Sequence, residues 1–481
     1  MSKKILFLLL ALAACTYKFP DLHNTPNPGS ADFTKIIAIG NSLTAGYANG
    51  ALYDQGQQNS YANIIAGQIN QVVPTTFNQP DINSPVGYLG TNSSGTILGR
   101  LHLVNPRQPV PAPIVPGNPF DEFYDGDKTQ LNNFGVPGMR LVDVMKAGYA
   151  LENPYYKRFA LDISNGSLLD DALTAQASFF IFWLGNNDVL GYAINGASGN
   201  ANGDGSQRDD LISAALFADT YQAVLDKLMA EKRQGVVINI PPVTEIPYFT
   251  TLPYNLIHFN TSEATDSTLV AQLNQMYATY NAGLQQAYSQ GLLSEEEYNN
   301  RQIIFADGEN GLVIEDEYLT DLSQAGLPNW RQTQAGDKLV LTVALLAGTD
   351  QGQGAIGLAV PLTDEYVLTP PEQELIDSRI SQYNQAIEQA VSQYAEDLAL
   401  VDIHTVFQDF LDHGVVINGS GLTPSIFPPF GAFSLDGVHP NPRGAAYVAN
   451  QVIAAINDHF EAYIPPVNPN NYPGNELPVP Q

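Results

Sequence analysis

Five short apolar runs along the chain predict buried strands, because each run ends at or next to Gly, Pro or His and most are rich in Ile, Val, Leu or Phe. Three of them show little alternation of apolar and polar residues, a pattern typical of strands covered on both faces. The second run is weak on its own and gains support from its neighbours. The five runs are KIIAIG (35–40), QLNNFGV (130–136), ASFFIFWLG (177–185), GVVINIPP (235–242) and LALVDIH (398–404).

Helical patterns separate these strands. Apolar residues recur at intervals of three and four over 210–232 and 370–397, and a further helix is predicted at 441–460. Strands that alternate with helices favour a parallel sheet with helices packed on both faces. We therefore predict one α/β domain over residues 33–462.

Two long insertions interrupt this pattern, at about 50–128 and 243–370, and both are rich in Asn, Gln, Pro, Gly and Tyr. They are too long for plain loops, so we expect them to contain small elements of their own. The stretch 337–368 has a β-rich composition. The Pro- and Asn-rich residues 463–481 predict an extended or disordered tail.

The N-terminus has the features of a secretory signal over residues 1–14. MSKKILFLLLALAAC places two lysines before an apolar run that is too short to span a membrane. The run LAAC resembles a bacterial lipobox, which implies cleavage before Cys15 and lipidation of its thiol; the alternative is an ordinary signal peptide with an incidental cysteine. Residues 15–32 would then be a tether to the membrane. Thr16 after Cys15, by resemblance to lipoprotein sorting, favours the outer membrane.

Composition excludes one class of partner. The chain has 481 residues, 20 of them basic and 49 acidic, for a net charge of −29. Such a surface repels phosphate backbones, so we expect no nucleic-acid partner. Cys15 is the only cysteine in the sequence, which excludes a disulfide within the chain.

The first strand leads into a candidate nucleophile, Ser42, in the stretch KIIAIGNSLTAGYANG. A turn from strand to helix places Ser42 near a helix N-terminus, where free backbone N–H groups and the helix dipole favour negative charge. The run GNSLT differs from the G-x-S-x-G elbow of other hydrolases, since Thr44 replaces the second glycine. The pattern alone leaves two interpretations, a nucleophile or a helix N-cap.

A candidate base and its partner lie near the C-terminus, in SLDGVHPNPRG (434–444). Asp436 precedes His439 by three residues, so both side chains can be directed at one cleft, with Asp436 orienting the imidazole. The alternative is a surface loop. The other six histidines lack a comparable setting, and His404 at the end of a strand is expected to be structural.

Two further strand ends offer donors for a developing negative charge. GNND (185–188) presents Asn187 and Asp188, and NFGVPG (133–138) presents the backbone N–H of Gly138. Ligands of parallel sheets bind outside the carboxyl ends of the strands, so these residues are expected at one edge.

Taken together, these blocks resemble the SGNH hydrolases, also called the GDSL lipase/esterase superfamily. The resemblance implies a flavodoxin-like three-layer α/β/α sandwich with a parallel five-stranded sheet in the order 2-1-3-4-5. It also implies Ser42 as nucleophile, Asp436 and His439 as the rest of the triad, and an oxyanion hole of Ser42, Gly138 and Asn187. The chain departs from the family at Asn41, where an Asp is usual.

The resemblance implies a serine ester hydrolase that acts on lipid or other acyl esters. One alternative is an esterase that removes acetyl or acyl groups from glycans, since aromatic and amide side chains in the insertions could line a sugar cleft. Another is a catalytically silent lipoprotein that binds a ligand. The apolar stretch 243–259 could form an acyl-binding wall or lid. No cofactor or metal is expected, because the loop 195–210 matches no full calcium-binding pattern.

Overall fold

The computed structural model describes residues 25–105, 110–350, 352 and 354–478, so Cys15 and the signal segment lie outside the described residues. The centre of the fold is a parallel five-stranded sheet in the order β2-β1-β3-β4-β5. This order confirms the predicted flavodoxin-like α/β fold. The strands are β1 (Ile36–Gly40), β2 (Asn133–Gly135), β3 (Phe179–Trp183), β4 (Gln234–Ile238) and β5 (Leu398–Val401).

Helices cover both faces of this sheet. The main helices are α1 (Ser42–Ala45), α2 (Tyr61–Ile69), α3 (Asn187–Ile194), α4 (Ala214–Met229), α5 (Ala264–Ser289), α6 (Pro370–Ser392), α7 (Ile403–His413) and α8 (Pro442–Phe460). Helices α2 and α8 pack together, and so do α4 and α6. Shorter helices lie at Asp54–Gln58, Pro154–Lys157, Leu168–Thr174, Pro247–Thr250 and Glu295–Arg301.

Strand β3 shows how the three layers are joined. All five of its residues are buried. Phe179 packs its ring against Phe460 of α8, with centroids 5.6 Å apart, whereas Phe182 packs against Tyr221 of α4 at 5.5 Å. Residues three apart on a strand point to opposite faces. The unbroken apolar run is therefore explained by burial on both sides.

The insertion 243–370 contains the long helix α5, which the sequence pattern did not predict. Its Tyr277 and Leu284 form a second hydrophobic cluster with Ile303 and Phe305, beside the core of the sheet layer. The stretch 337–368, predicted to be β-rich, forms one two-residue strand pair and a few isolated bridges, and otherwise consists mainly of turns and short 3₁₀ segments within its described part.

The remaining strands form small antiparallel pairs in the insertions and beyond α7. They are Gly90–Thr91 with Ile97–Leu98, Leu101–Val104 with Val110–Pro113, Ile257–Phe259 with Gly308–Asn310, Val313–Glu315 with Trp330–Gln332, Lys338–Leu339 with Val367–Leu368, and Val415–Ile417 with Ser420–Leu422.

The C-terminal segment is extended but packed against the domain. Tyr463 exchanges backbone hydrogen bonds of 2.9 and 3.2 Å with Asn27. Ile464 is fully buried, and its backbone is bound by the side chain of Asn457 on α8. In the described part of the chain, no helix combines the length and the apolar character needed to cross a membrane.

Candidate active site

Ser42 is the first residue of α1, directly beyond the carboxyl end of β1. Asn41 caps this helix, because its Oδ1 accepts a hydrogen bond of 3.0 Å from the backbone N–H of Leu43. The N-cap interpretation of Ser42 is therefore wrong. The Ser42 backbone N–H itself has no hydrogen-bond partner among the described residues.

The residues around Ser42 explain why this turn differs from the G-x-S-x-G elbow. A Cβ at Gly40 would lie 2.0 Å from Thr44 Oγ1, so the strand must end in glycine. The Thr44 hydroxyl is itself used, since it bonds to the hydroxyl of Tyr61 on α2 at 2.7 Å. The second glycine of the elbow is replaced by a residue that anchors α1 to α2.

Ser42, His439 and Asp436 form one line of hydrogen bonds. His439 Nε2 lies 2.8 Å from Ser42 Oγ, and His439 Nδ1 lies 3.1 Å from Asp436 Oδ2. The other carboxylate oxygen of Asp436 accepts from the backbone N–H groups of Val438 and His439, both at 2.9 Å. The tight turn between the two residues thus fixes the carboxylate as well as the ring.

The charge of Asp436 follows from these contacts. Burial alone would raise the pKa of its carboxyl group, but the charge of His439 and the hydrogen bonds from His439 and Val438 outweigh burial and lower the pKa to about 2. Asp436 is therefore ionised at any ordinary pH, and it can stabilise a positive charge on the ring.

A turn that follows α1 supports this loop, and its role is not evident from the sequence pattern. Asn49 and Gly50 both have positive φ, 53° and 76°. The Gly50 N–H donates to Asp436 Oδ2 at 3.0 Å. Asn49 bonds to Ser434 and Leu435, at 3.0 and 2.9 Å. The Asn-Gly pair in GYANG was the available signal, since it is typical of tight turns.

Asn187 lies beside the serine, and Gly138 lies in a groove that adjoins the serine's cavity. Asn187 begins α3 and lines the same cavity as Ser42 and His439. Its side-chain amide donates one hydrogen bond, of 2.9 Å, to the carbonyl of Met139. Gly138 lines a neighbouring groove that shares Asn187. Gly138 has a φ of +76°, and its N–H has no partner among the described residues.

Asp188 fixes the Gly138 loop to α3. Its carboxylate is fully buried and accepts hydrogen bonds from the N–H groups of Leu141 and Val142, at 2.7 and 3.3 Å. Burial raises the pKa of this carboxyl group to about 7 despite those two bonds. Sequence reasoning placed Asp188 at the strand end but gave it no role.

The cavity at Ser42 is narrow, about 60 Å³, and mostly apolar. The segment 243–250, part of the stretch proposed as a wall or lid, forms one side of it. Val243 and Ile246 line the cavity, and the Tyr248 N–H bonds to the Gly437 carbonyl at 2.9 Å. The other apolar lining residues are Leu43, Trp183, Leu190, Pro241, Phe407, Phe433, Val438, Pro440 and Val448.

The remaining sequence expectations concern His404 and metals. His404 lies on α7, and its Nδ1 contacts the Ile240 carbonyl at 3.1 Å, away from the Ser42–His439 pair. Among the described residues, no group of three or more His, Cys, Asp or Glu side chains is arranged to hold a metal ion.

Comparison with known proteins adds little. No protein-family model matches the chain, and no curated protein does. Among solved structures, the chain is similar to LAE5, an alpha/beta hydrolase enzyme from the metagenome of Lake Arreo, Spain. The two share 10% identity and a TM-score of 0.35, with 89% of this chain and 97% of that chain covered. At that TM-score the likeness supports no conclusion about this chain.

The arrangement has a definite chemical capacity. A hydroxyl, an imidazole and an ionised carboxylate in one hydrogen-bonded line can deprotonate the hydroxyl as it attacks an electrophile. Unpaired backbone N–H groups at Ser42, in the cavity, and at Gly138, in the adjoining groove, are available to stabilise an oxyanion.

Proposed function

We propose that this protein is a serine ester hydrolase of the SGNH type. The observation that supports it best is the relay from Ser42 through His439 to Asp436, with contacts of 2.8 and 3.1 Å. Residues 397 positions apart in sequence meet in this relay.

The proposed mechanism has two half-reactions. Ser42 Oγ attacks the ester carbonyl while His439 Nε2 accepts its proton, and Asp436 stabilises the resulting imidazolium. The protonated His439 then donates that proton to the departing alcohol. Water, deprotonated by His439, attacks the acyl-serine and releases the acid. No cofactor takes part.

The oxyanion of each tetrahedral intermediate would be held by three donors. These are the N–H groups of Ser42 and Gly138, which have no other partner in the described chain, and the side-chain amide of Asn187. The amide has two N–H bonds, and only one is used at Met139. Such donors, fixed before the reaction, stabilise charge that develops in the transition state.

Acyl esters fit the apolar cavity best. Val243, Ile246 and Phe407 offer no hydrogen bonds to a sugar, and they would pack against the carbons of an acyl chain. The proposal includes a lipid anchor on Cys15, in the outer membrane, on the evidence of the N-terminal sequence alone.

The test is hydrolysis of p-nitrophenyl acetate, butyrate, octanoate and palmitate by the purified chain, beside Ser42→Ala. Ser94→Ala, at an exposed serine in a hairpin loop, is the matched control. We expect turnover that Ser42→Ala abolishes and Ser94→Ala retains, and a fluorophosphonate probe that labels only chains with Ser42. Folded protein that neither cleaves any ester nor takes the probe would instead be a ligand-binding protein. Cleavage of acetate alone would favour the glycan deacetylase.

A further inference from the structure

Arg208 is a cation beside the proposed oxyanion donors in a strongly acidic chain. It lines a groove of about 400 Å³ that begins at Asn187, the residue shared with the Ser42 cavity. Gly138, Leu190, Gly191, Ile194, Asn195 and Asp209 line the rest of the groove. The chain has 20 basic and 49 acidic residues, so a positive group at this place is unusual.

The loop that carries Arg208 is held at several points. The guanidinium of Arg140, only 4% exposed, donates to the carbonyls of Gln207 and Gly205 at 2.6 and 2.8 Å. Arg379 binds the same loop at Ala201 and Asn202, each at 3.1 Å. Arg208 therefore projects from a fixed backbone.

Among the described residues, Arg208 has one ion-pair partner, Asp143, and shares it with Arg140, so the two guanidinium groups keep a net positive charge. Its two hydrogen bonds go to neutral groups, the Tyr149 hydroxyl at 3.0 Å and the Gly138 carbonyl. Asp143 lies 3.7 Å away, but both of its oxygens are bound by Arg140, at 2.8 and 3.0 Å. Asp209 also lines the groove, yet it forms no ion pair with Arg208 in the described structure.

The guanidinium also remains accessible. Its side chain is 56% exposed. A guanidinium has five N–H bonds, and the two hydrogen bonds above leave three. Its planar arrangement of donors matches a carboxylate or phosphate group.

We propose that Arg208 binds an anionic group on the ester substrate, so that the preferred substrates are acidic esters. This inference rests on the proposed function. The apolar cavity takes one side of the ester bond, and the groove takes the side that bears the charge. An overall negative surface repels such a substrate elsewhere, which makes Arg208 the specificity-determining contact.

The experiment compares two matched pairs of substrates with the full chain. In the first pair, mono-p-nitrophenyl glutarate carries a carboxylate on its acyl side, and p-nitrophenyl butyrate is its neutral partner. In the second pair, 3-acetoxybenzoate carries a carboxylate on its alcohol side, and phenyl acetate is its neutral partner. For Arg208→Gln, we expect kcat/KM on the anionic member of one pair to fall about tenfold more than kcat/KM on its neutral partner. This is the size of effect expected for a charge-assisted hydrogen bond that is weakened by exposure to solvent.

Two variants control for charge and for position. Arg208→Lys keeps the charge and is expected to retain part of the preference. Lys227→Gln removes the same charge from the exposed face of α4 and should leave both ratios unchanged. An equal loss on neutral and anionic esters would mean that Arg208 only positions Gly138, and it would overturn the proposal, as would unchanged ratios in both pairs.

A binding measurement separates this proposal from the proposed function. Calorimetry with two anionic esters, monophenyl glutarate and 3-acetoxybenzoate, would compare Ser42→Ala with the double variant Ser42→Ala/Arg208→Gln, neither of which needs to turn over. We expect at least several-fold weaker binding of one of the two ligands in the double variant. Equal affinities for both ligands would overturn the role of Arg208 even if neutral esters are hydrolysed, whereas an Arg208-dependent affinity without any hydrolysis would count against the esterase alone.

Discussion

The backbone N–H of Gly50 donates a hydrogen bond of 3.0 Å to Asp436 Oδ2, the same oxygen that faces the ring of His439. Gly50 follows the helix that begins at Ser42, while Asp436 precedes the helix that ends the domain. The segment that carries Ser42 is thus linked to the Asp436 carboxylate in two ways, through the His439 ring and through the Gly50 N–H. The geometry of the relay depends on both links.

Asp436→Asn is expected to lower kcat by about 10⁴-fold, as in other triads. Backbone donors contact both carboxylate oxygens, so either orientation of the Asn amide sets its NH₂ group against an N–H. With the NH₂ group at the Oδ2 position the His439 ring also loses its acceptor, and in either orientation the negative charge that stabilises the imidazolium is gone. Turnover of p-nitrophenyl butyrate measures the effect, with Asp458→Asn at an exposed site as control. Activity within tenfold of wild type would exclude Asp436 from the relay.

Asn187→Ala is expected to lower kcat by about 10²–10³-fold, the effect of removing one oxyanion donor. KM should change little, because the donor acts chiefly in the transition state. The variant also loses the bond to Met139. A thermal midpoint measured beside kcat separates that loss from catalysis, and a fall in kcat that only matches a fall in the folded fraction would contradict the role.

Asn49→Ala is expected to destabilise the protein by about 1–3 kcal/mol, because it leaves the Leu435 N–H buried without a partner. Alanine also tolerates the φ of 53° poorly. Asn49→Gly is the matched control, since it removes the side chain but accepts that φ. Urea unfolding of both variants measures the two contributions. Equal midpoints for the wild type and Asn49→Gly would show that the side-chain bonds add no stability.

Asp188 should make stability fall as the pH rises. Its folded pKa is about 7, above the ordinary 3.8, so the folded state binds a proton that the unfolded state has released between these values. The free energy of unfolding therefore declines from about pH 4 to 7, by about 1.4 kcal/mol per pKa unit at most.

Asp188→Asn removes this titration. Relative to the variant, the wild type should lose free energy of unfolding between about pH 4 and 7, as measured by urea unfolding at several pH values. Asp219→Asn, at an exposed position of α4, should run parallel to the wild type. A difference between the wild type and Asp188→Asn that stays constant with pH would show that the carboxyl group is ionised throughout.

Cys15→Ser tests the anchor. In bacteria that express the full chain, we expect the wild type to incorporate an alkyne-tagged palmitate and to sediment with membranes. The variant should do neither, because its side chain lacks the thiol that is acylated. Absence of label in the wild type would favour an ordinary signal peptide.

The sheet could be predicted from sequence because its strands are local apolar patterns, whereas the meeting of Ser42 with His439, 397 positions apart, was implied by the family resemblance of their blocks. β1 and β3 are unbroken apolar runs, and Asp436 and His439 share one tight turn. Helix α5 was missed for a physical reason. Its buried positions are Leu273, Tyr277, Tyr280, Leu284 and Ala287, which recur at four and three residues, but Gln, Asn and Thr fill the positions between them. A narrow stripe that includes two tyrosines gives a weak helical signal.

The contacts made by Asn49 and Arg208 could not be predicted in the same way. Asn49 meets Leu435 across 386 positions, and Arg208 meets Gly138 across 70. Pairings over such separations depend on how loops fold over the sheet edge. The Asn-Gly dipeptide indicates a turn, but not its partner.

The pairing of Asn27 with Tyr463 determines where a tether would leave the domain. The described N-terminal residues lie beside the end of α8, while the start of that helix follows His439. The helix has 19 residues, so about 28 Å separate the exit point from the relay. In the proposed anchored form, the tether would therefore join the domain at the end of α8 opposite to the serine, so the attachment point would leave the mouth of the site clear.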